Sequence, residues 1–305
     1  MKIGLVLSGG GGKGAYELGV WKALKELDLA KYIDVFSGTS IGAFNAVLFA
    51  QDDMLLAEEL WNEVTMGKLV PLNKFDLFKK GMGLIIGAKN PNFAKKYINQ
   101  KIEEGATSKE GAIEFIEKYL KVNRINENNK ICYVACTELP NLNVKYFRLN
   151  DYEEIVAKDI ILASVSLPLI YDSTKVLDNK YVDGGISDNT PIQPVYGEGC
   201  DIIIVVLLSK DAKIDRSLYP NTHIIEISPR NLCETVLNGT LNLDCESKKN
   251  RIKEGYNDTK LLLMPIMLMA TFKKEKEEEE NYPKLYKYYN CLKKRVRKKE
   301  ENFKM

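Results

Sequence analysis

The sequence predicts an α/β fold in which a mainly parallel central sheet lies between helical layers. Three observations carry this. Runs of β-branched and aliphatic residues alternate with helical patterns along the first 265 residues. The run Ile202–Leu208 is apolar at every position, as a central parallel strand covered on both faces requires. Two strand-to-helix transitions pass through glycine-rich turns, at Gly9–Gly14 and Gly38–Gly42.

Taken in order, Ile3–Leu7 is the first strand, and Val20, Leu24 and Leu27 mark the helix after the first glycines. Val35–Phe36 is a short strand running into Gly38, and Ile41–Ala50 is an apolar helix. Residues 51–130 break the rhythm with Pro71, Gly81, Gly83, Gly87 and Pro91 among short helical pieces such as Ala57–Glu63, and are expected to form a helical insertion or lid. Within them, Thr107-Ser-Lys-Glu110 has the spacing of a capping box opening a helix with Ile113, Phe115, Ile116 and Leu120. Strands are expected at Ile131–Thr137, Val144–Leu149, Ile202–Leu208 and His223–Ile227, with a hairpin pairing Lys175–Leu177 and Lys180–Val182. Composition changes after about residue 265: the charge run Lys273–Glu280 precedes a helical pattern. The division expected is therefore 1–265 as an α/β region and 266–305 as a charged helical tail.

The 305 residues are 45% hydrophobic and 28% charged, which excludes a disordered chain. The net charge of +2 supplies no global field for nucleic acid. Six cysteines include no C-x-x-C pair, and no spacing suggests a metal site. The longest apolar run, Leu261–Ala270, is about half the ~20 residues that span a bilayer. The apolar stretch at the N-terminus is too short for a secretory signal. A soluble, cytoplasmic protein with reduced thiols is expected.

Three glycine-marked sites carry chemistry. Gly9-Gly10-Gly11-Gly12-Lys13-Gly14 satisfies G-x-G-x-x-G, and Asp34 lies twenty residues past its last glycine. Asp34 starts its strand, however, where a dinucleotide fold needs an acid at the strand end. Lys13 is followed by Gly14, which excludes a Walker A loop. Structural, nucleotide-binding and oxyanion roles stay open on the loop alone. Gly38-Thr39-Ser40-Ile41-Gly42 has the strand and helix context of a nucleophile elbow. A helix N-terminus there favours negative charge on Ser40, whereas the plainer reading is an N-capping serine. Asp183-Gly184-Gly185 ends the predicted hairpin, where Asp-Gly is first of all a turn signal.

A serine nucleophile needs a base. The only histidine, His223, opens an apolar strand with no glycine turn to project it into a site. A carboxylate is the remaining candidate, and Asp183 stands at a strand end. An aspartate near its ordinary pKa of about 3.9 is a weak base and needs desolvation to be useful.

Together the three motifs resemble the patatin-like phospholipases, whose pattern is a G-G-G-x-K/R-G loop, a G-x-S-x-G elbow and a D-G-G/A. Ala163–Pro168, Ile186–Pro191 and Gly255–Asp258 resemble secondary marks of that family, and the likeness covers roughly residues 1–265. It implies a three-layer α/β/α sandwich and cofactor-free, metal-free serine acyl hydrolysis of (phospho)lipid esters, with peripheral membrane contact. Carried over, Ser40 is the nucleophile and Asp183 the general base. The N–H groups of Gly10 and Gly11, with Gly12 and Ile41 as further donors, form the oxyanion hole. Gly9, Gly14, Gly38, Gly42, Gly184 and Gly185 are the motif glycines. Leu167 and Leu169 flank Pro168 where family members often carry smaller residues, which bears on substrate fit. A soluble carboxylesterase or acyltransferase with the same dyad, and a non-catalytic lipid-binding protein, are the competing readings. Oligomeric state is open.

In the tail, Tyr282, Leu285, Tyr286, Tyr289, Leu292 and Val296 form one apolar face at helical spacing, followed by the basic cluster Lys293–Lys299. Docking on the protein's own core is the preferred reading and an interfacial membrane helix the other.

Overall fold

The structure is a computed structural model describing residues 1–69, 107–168, 170–209, 212–230 and 239–281. Contacts divide the chain into two units, Met1–Thr259 and Lys260–Met305.

Among the described residues, eight strands form one sheet. They are β1 (Ile3–Leu7), β2 (Ile33–Thr39), β3 (Ile131–Glu138), β4 (Asn143–Arg148), β5 (Thr174–Val176), β6 (Asn179–Asp183), β7 (Ile202–Val206) and β8 (His223–Ile227). The order is β5-β6-β3-β2-β1-β7-β8, with β4 also paired to β3. The pairings β3-β2, β2-β1, β1-β7 and β7-β8 are parallel; those of β3 with β4 and β6, and of β5 with β6, are antiparallel.

Alternation along the strands distributes the core between two helical layers. Val6, Val35, Ile203 and Val205 pack with Ile192 and Val195 of the short helix Ile192–Gly197 on one face. On the other, Phe36 meets Trp21 of α1 (Ala15–Glu26) edge-on, and Trp21 stacks at 5.0 Å on Phe49 of α2 (Ile41–Ala50). Further helices are α3 (Met54–Glu63), α4 (Glu110–Tyr119), α5 (Glu154–Ser164) and α6 (Cys245–Asn281). Among the described residues no helix is long and apolar enough to cross a membrane, and no group of three or more His, Cys, Asp or Glu could hold a metal.

Several boundaries differ from the sequence expectation. The strand around Val35–Phe36 runs from Ile33 to Thr39, because pairing with β1 and β3 on both edges extends it through the polar Ser37 and Thr39. β7 stops at Val206, so Leu207 and Leu208 follow the strand rather than belong to it. In the hairpin, Leu177 has φ 53° and occupies the turn. The capping box does not form: Lys109 is the N-cap of α4 and makes no side-chain cap bond, while the hydroxyl of Thr107 is buried without a partner. Instead, the Thr107 backbone N–H donates to Ile170 O at 2.9 Å, which draws this segment away from the helix start. Of the expected insertion, residues 70–106 lie outside the described residues, as do Leu169 and the aromatic face from Tyr282 onward.

Candidate active site

The register of β3 explains how two distant motifs meet. β2 pairs with Ile131–Ala135 of β3, and β6 pairs with Cys136–Glu138. β4 occupies the opposite edge across Tyr133–Glu138, so β2 and β6 share one edge of β3. β2 is parallel and β6 antiparallel to β3, and their C-terminal ends therefore face each other. Ser40 follows the end of β2, and Asp183 is the last residue of β6.

Ser40 stands between β2 and α2 with φ 55° and ψ −125°, a left-handed conformation costly for a residue with a Cβ. Tight packing keeps it there. A Cβ on Gly38 would lie 2.1 Å from Gly42 O, and one on Gly42 would lie 2.3 Å from Leu7 O, so only glycine fits at either end of the elbow. The Ser40 N–H donates to Ser164 Oγ at 3.0 Å, and that hydroxyl donates to Ala135 O at 2.7 Å. The elbow is thereby tied to β3 through α5.

The Ser40 hydroxyl donates to Asp183 Oδ2 at 2.6 Å. Asp183 is 3% exposed; Oδ1 accepts from Gly185 N–H at 2.8 Å. Its own N–H donates to Ser166 O, and its carbonyl accepts from the Thr137 hydroxyl, both at 2.9 Å. Burial pushes the carboxyl pKa up to about 6 against the opposing hydrogen bonds from Ser40 and Gly185. This is the desolvation that a carboxylate base requires. His223 is exposed and starts β8, three strands from β2 in the sheet, whereas Ser40 follows the C-terminal end of β2, so the two stand at opposite ends of the parallel strands.

The glycine loop faces the same space. Gly9, Gly10, Gly11 and Gly12 line one cavity with Ser40, Ile41, Asp183 and Gly185. Gly11 has φ 55°, which glycine adopts without steric cost. A short helical turn, Gly11–Gly14, follows Gly10, and the first N–H groups of such a turn lack partners within it. The first N–H groups of α2, beginning at Ile41, are in the same position. Gly9 differs: its N–H donates to Asn189 O at 3.1 Å and its carbonyl accepts from Asn189 Nδ2 at 3.0 Å. Gly14, Gly38, Gly42 and Gly184 sit behind the cavity in close contact with neighbouring chain. The cavity holds about 460 Å³ and is largely apolar, with walls that include Phe44, Leu60, Trp61, Phe115, Leu241 and Leu243. Walls from α3 and α4 bring the described part of residues 51–130 to the site.

Sequence reasoning missed a set of supporting groups. Asn189 clamps Gly9, Thr190 Oγ1 meets Ser8 Oγ at 2.9 Å, and Thr39 Oγ1 donates to Asp188 O at 2.9 Å. The residues after Asp183 thus fasten the first and second motifs to the third. Their signal was present in the Asp-Asn-Thr-Pro run, without a role attached. Behind the loop, Trp61 Nε1 donates to Asn45 Oδ1 at 3.0 Å, and Asn45 Nδ2 donates to Glu17 Oε2 at 2.7 Å and Gly14 O at 3.1 Å. Complete burial holds the Glu17 pKa well above the carboxylate range. Arg251 of α6, fully buried, donates from Nη1 to Gly12 O at 2.9 Å and to Asn242 O at 2.5 Å.

A hydroxyl on a desolvated carboxylate, at a helix N-terminus and beside glycine N–H groups, can form and cleave an acyl ester. Comparison with known proteins agrees. The family model described as patatin-like phospholipase matches residues 5–196. Lysophospholipase nte1 of Aspergillus terreus is 27% identical over 207 residues, covering 67% of this chain and 12% of its own length. Lysophospholipase NTE1 of Cryptococcus neoformans var. neoformans is 29% identical over 205 residues, covering 67% of this chain and 11% of its own. The chain thus spans about an eighth or less of the length of these relatives. Among solved structures, VipD from Legionella pneumophila matches with a TM-score of 0.50 at 16% identity, covering 87% of this chain and 67% of that one, a likeness of fold.

Proposed function

The chain belongs to the patatin-like phospholipase family, and from that premise we propose that it hydrolyses acyl esters of lipids with Ser40 as nucleophile and Asp183 as general base. One observation carries the assignment: the 2.6 Å hydrogen bond from the Ser40 hydroxyl to a buried carboxylate, made in the wall of a largely apolar cavity.

With a pKa of about 6, Asp183 is mostly ionised at neutral pH and is a stronger base than an ordinary aspartate. Ser40 Oγ bonds to the ester carbonyl carbon as its proton passes to Asp183 Oδ2. The carbonyl oxygen takes the negative charge and is received by the N–H groups of Gly10 and Gly11, with Gly12 and Ile41 as further donors. Collapse of this intermediate breaks the ester C–O bond, and Asp183 returns the proton to the departing alkoxide. Water then attacks the acyl-serine by the same route, giving free acid and restoring Ser40. Preorganised donors of this kind are worth about 10²–10³ in rate each.

The apolar walls suit an acyl chain, since each methylene withdrawn from water contributes about 0.8 kcal/mol. The names of the curated relatives support single-chain phospholipids as substrate. We assign catalysis to residues 1–265, with 51–130 as an insertion whose described part borders the cavity, and 266–305 as a tail. We propose a cytoplasmic location with peripheral contact to membranes, the contact being what a lipid substrate requires; among the described residues no helix is long and apolar enough to cross a membrane.

The test is labelling of the full chain with a fluorophosphonate, mapping of the modified residue, and assay of lysophosphatidylcholine against short soluble esters. Modification at Ser40, lost in Ser40→Ala together with fatty-acid release, is expected. Labelling at another residue, or unchanged turnover by Ser40→Ala, refutes the assignment; turnover of short esters alone makes the protein a carboxylesterase.

A further inference from the structure

Arg251 is 0% exposed, although a guanidinium keeps its charge at every accessible pH and has five donors to satisfy. Withdrawing such a cation from water is costly, and an apolar side chain of similar size commonly fills the same volume without loss. The position of this cation therefore asks for an explanation beyond packing. It reaches the glycine loop, where Nη1 donates to Gly12 O at 2.9 Å and to Asn242 O at 2.5 Å.

The hydrogen bonds of the loop continue from that contact. The Gly12 carbonyl shares a peptide plane with the Lys13 N–H, and this N–H donates to Gly10 O at 3.2 Å. The Gly10 carbonyl in turn shares a peptide plane with the Gly11 N–H. In a trans peptide the C=O and N–H point in opposite directions. Holding the Gly12 carbonyl toward Arg251 turns the Lys13 N–H to Gly10. Holding the Gly10 carbonyl toward Lys13 turns the Gly11 N–H away from the turn. Charge-assisted hydrogen bonds polarise the peptides they touch, and bonds in series strengthen one another. The same cation joins the loop to the segment containing Thr240, Leu241 and Leu243, which lines the cavity from the other chain direction.

We infer that Arg251 is a positioning residue for hydrolysis, holding and polarising the glycine-loop peptides so that their N–H groups receive the oxyanion. The inference rests on the assignment of Ser40 and the loop given above.

The experiment compares the wild-type full chain with Arg251→Lys and Arg251→Met. It reads kcat and KM on a p-nitrophenyl ester and the rate of fluorophosphonate labelling at Ser40, each per folded molecule, with melting temperature alongside. Loss of a direct donor costs about 10²–10³, so loss of its support is expected to lower kcat and labelling by about 10–100-fold in Arg251→Met. KM should stay within about twofold, because the interaction acts in the transition state. Arg251→Lys keeps the charge and one carbonyl contact and should recover part of the rate. A purely structural role would reduce the folded fraction and leave the rate per folded molecule unchanged, which overturns the inference. If Arg251→Met does not fold, Arg251→Lys decides: slowing by more than about twofold supports the inference, and a rate within about twofold of wild type overturns it. A wild-type protein not labelled at Ser40 refutes the prior assignment instead. Labelling at Ser40 with unaffected variants removes Arg251 alone.

Discussion

Replacing Asp183 by asparagine should make the protein more stable and nearly inactive. The carboxyl is 3% exposed, and burial raises its pKa from 3.8 to about 6. Ionised Asp183 thus burdens the folded state. At 1.36 kcal/mol per decade, the difference corresponds to about 3 kcal/mol at pH 7.5. The sign follows from linkage. A raised folded pKa means that the native protein binds the proton more tightly, so the favourable contribution is complete below 3.8 and is lost as pH rises through about 6. At pH 5 the cost has therefore fallen to about half its value at pH 7.5. Asparagine keeps the shape, can accept from Gly185 N–H and can face the Ser40 hydroxyl, but carries no charge to desolvate. The expected result from urea unfolding is a gain of about 1–3 kcal/mol at pH 7.5 and a smaller gain at pH 5, with ester turnover down by orders of magnitude at both. Destabilisation of equal size at the two pH values would refute the reasoning, because a pH-independent loss points to packing rather than to charge.

Other outcomes follow from the same geometry. kcat/KM should rise with pH through about 6, since Asp183 as the proposed base must be unprotonated to accept the serine proton; a profile flat from pH 5 to 8 would assign the base elsewhere. Ser40→Gly should melt higher than Ser40→Ala by an amount equivalent to about 1 kcal/mol, since glycine relaxes φ 55° while both variants lose the bond to Asp183. Ser164→Ala leaves the Ser40 N–H without its acceptor, which should cost about 1–3 kcal/mol and lower kcat; unchanged denaturant midpoints would show that water replaces the hydroxyl. His223→Gln, at the far end of the sheet, should leave kcat unchanged, and a loss comparable with that of Ser40→Ala would restore a histidine base.

Much of this was legible because local chemistry demanded particular residues. The glycines at 38 and 42 announced the elbow, since no other residue can pack at those contacts. The apolar Ile202–Val206 announced a strand covered on both faces. The limits of legibility are equally physical. β2 outran its apolar core because strand length is set by partners on both edges, which no local pattern reports. The capping-box spacing at Thr107 was overridden by a backbone bond to Ile170, sixty-three residues away. Ser164, Asn189 and Arg251 were invisible as supports for the same reason: each acts on a backbone group distant in sequence.

The precision of the Ser40–Asp183 contact comes from strand register more than from the loops that carry the motifs. β2 and β6 approach along one edge of β3 from opposite directions, and their ends meet between Ala135 and Cys136. A slip of β6 by one residue would turn Asp183 to the opposite face of the sheet, because strand side chains alternate. Thr137, near the C-terminal end of β3, opposes that slip by donating to the Asp183 carbonyl, and Ser166 opposes it by accepting the Asp183 N–H. Ser40 is secured against the same strand through Ser164 and Ala135. Both members of the pair are therefore referred to β3, whose neighbours on either edge hold it within the sheet. A strained serine and a desolvated carboxylate would each relax if free to move by about 1 Å. Their common attachment to one strand is what keeps both unfavourable states together.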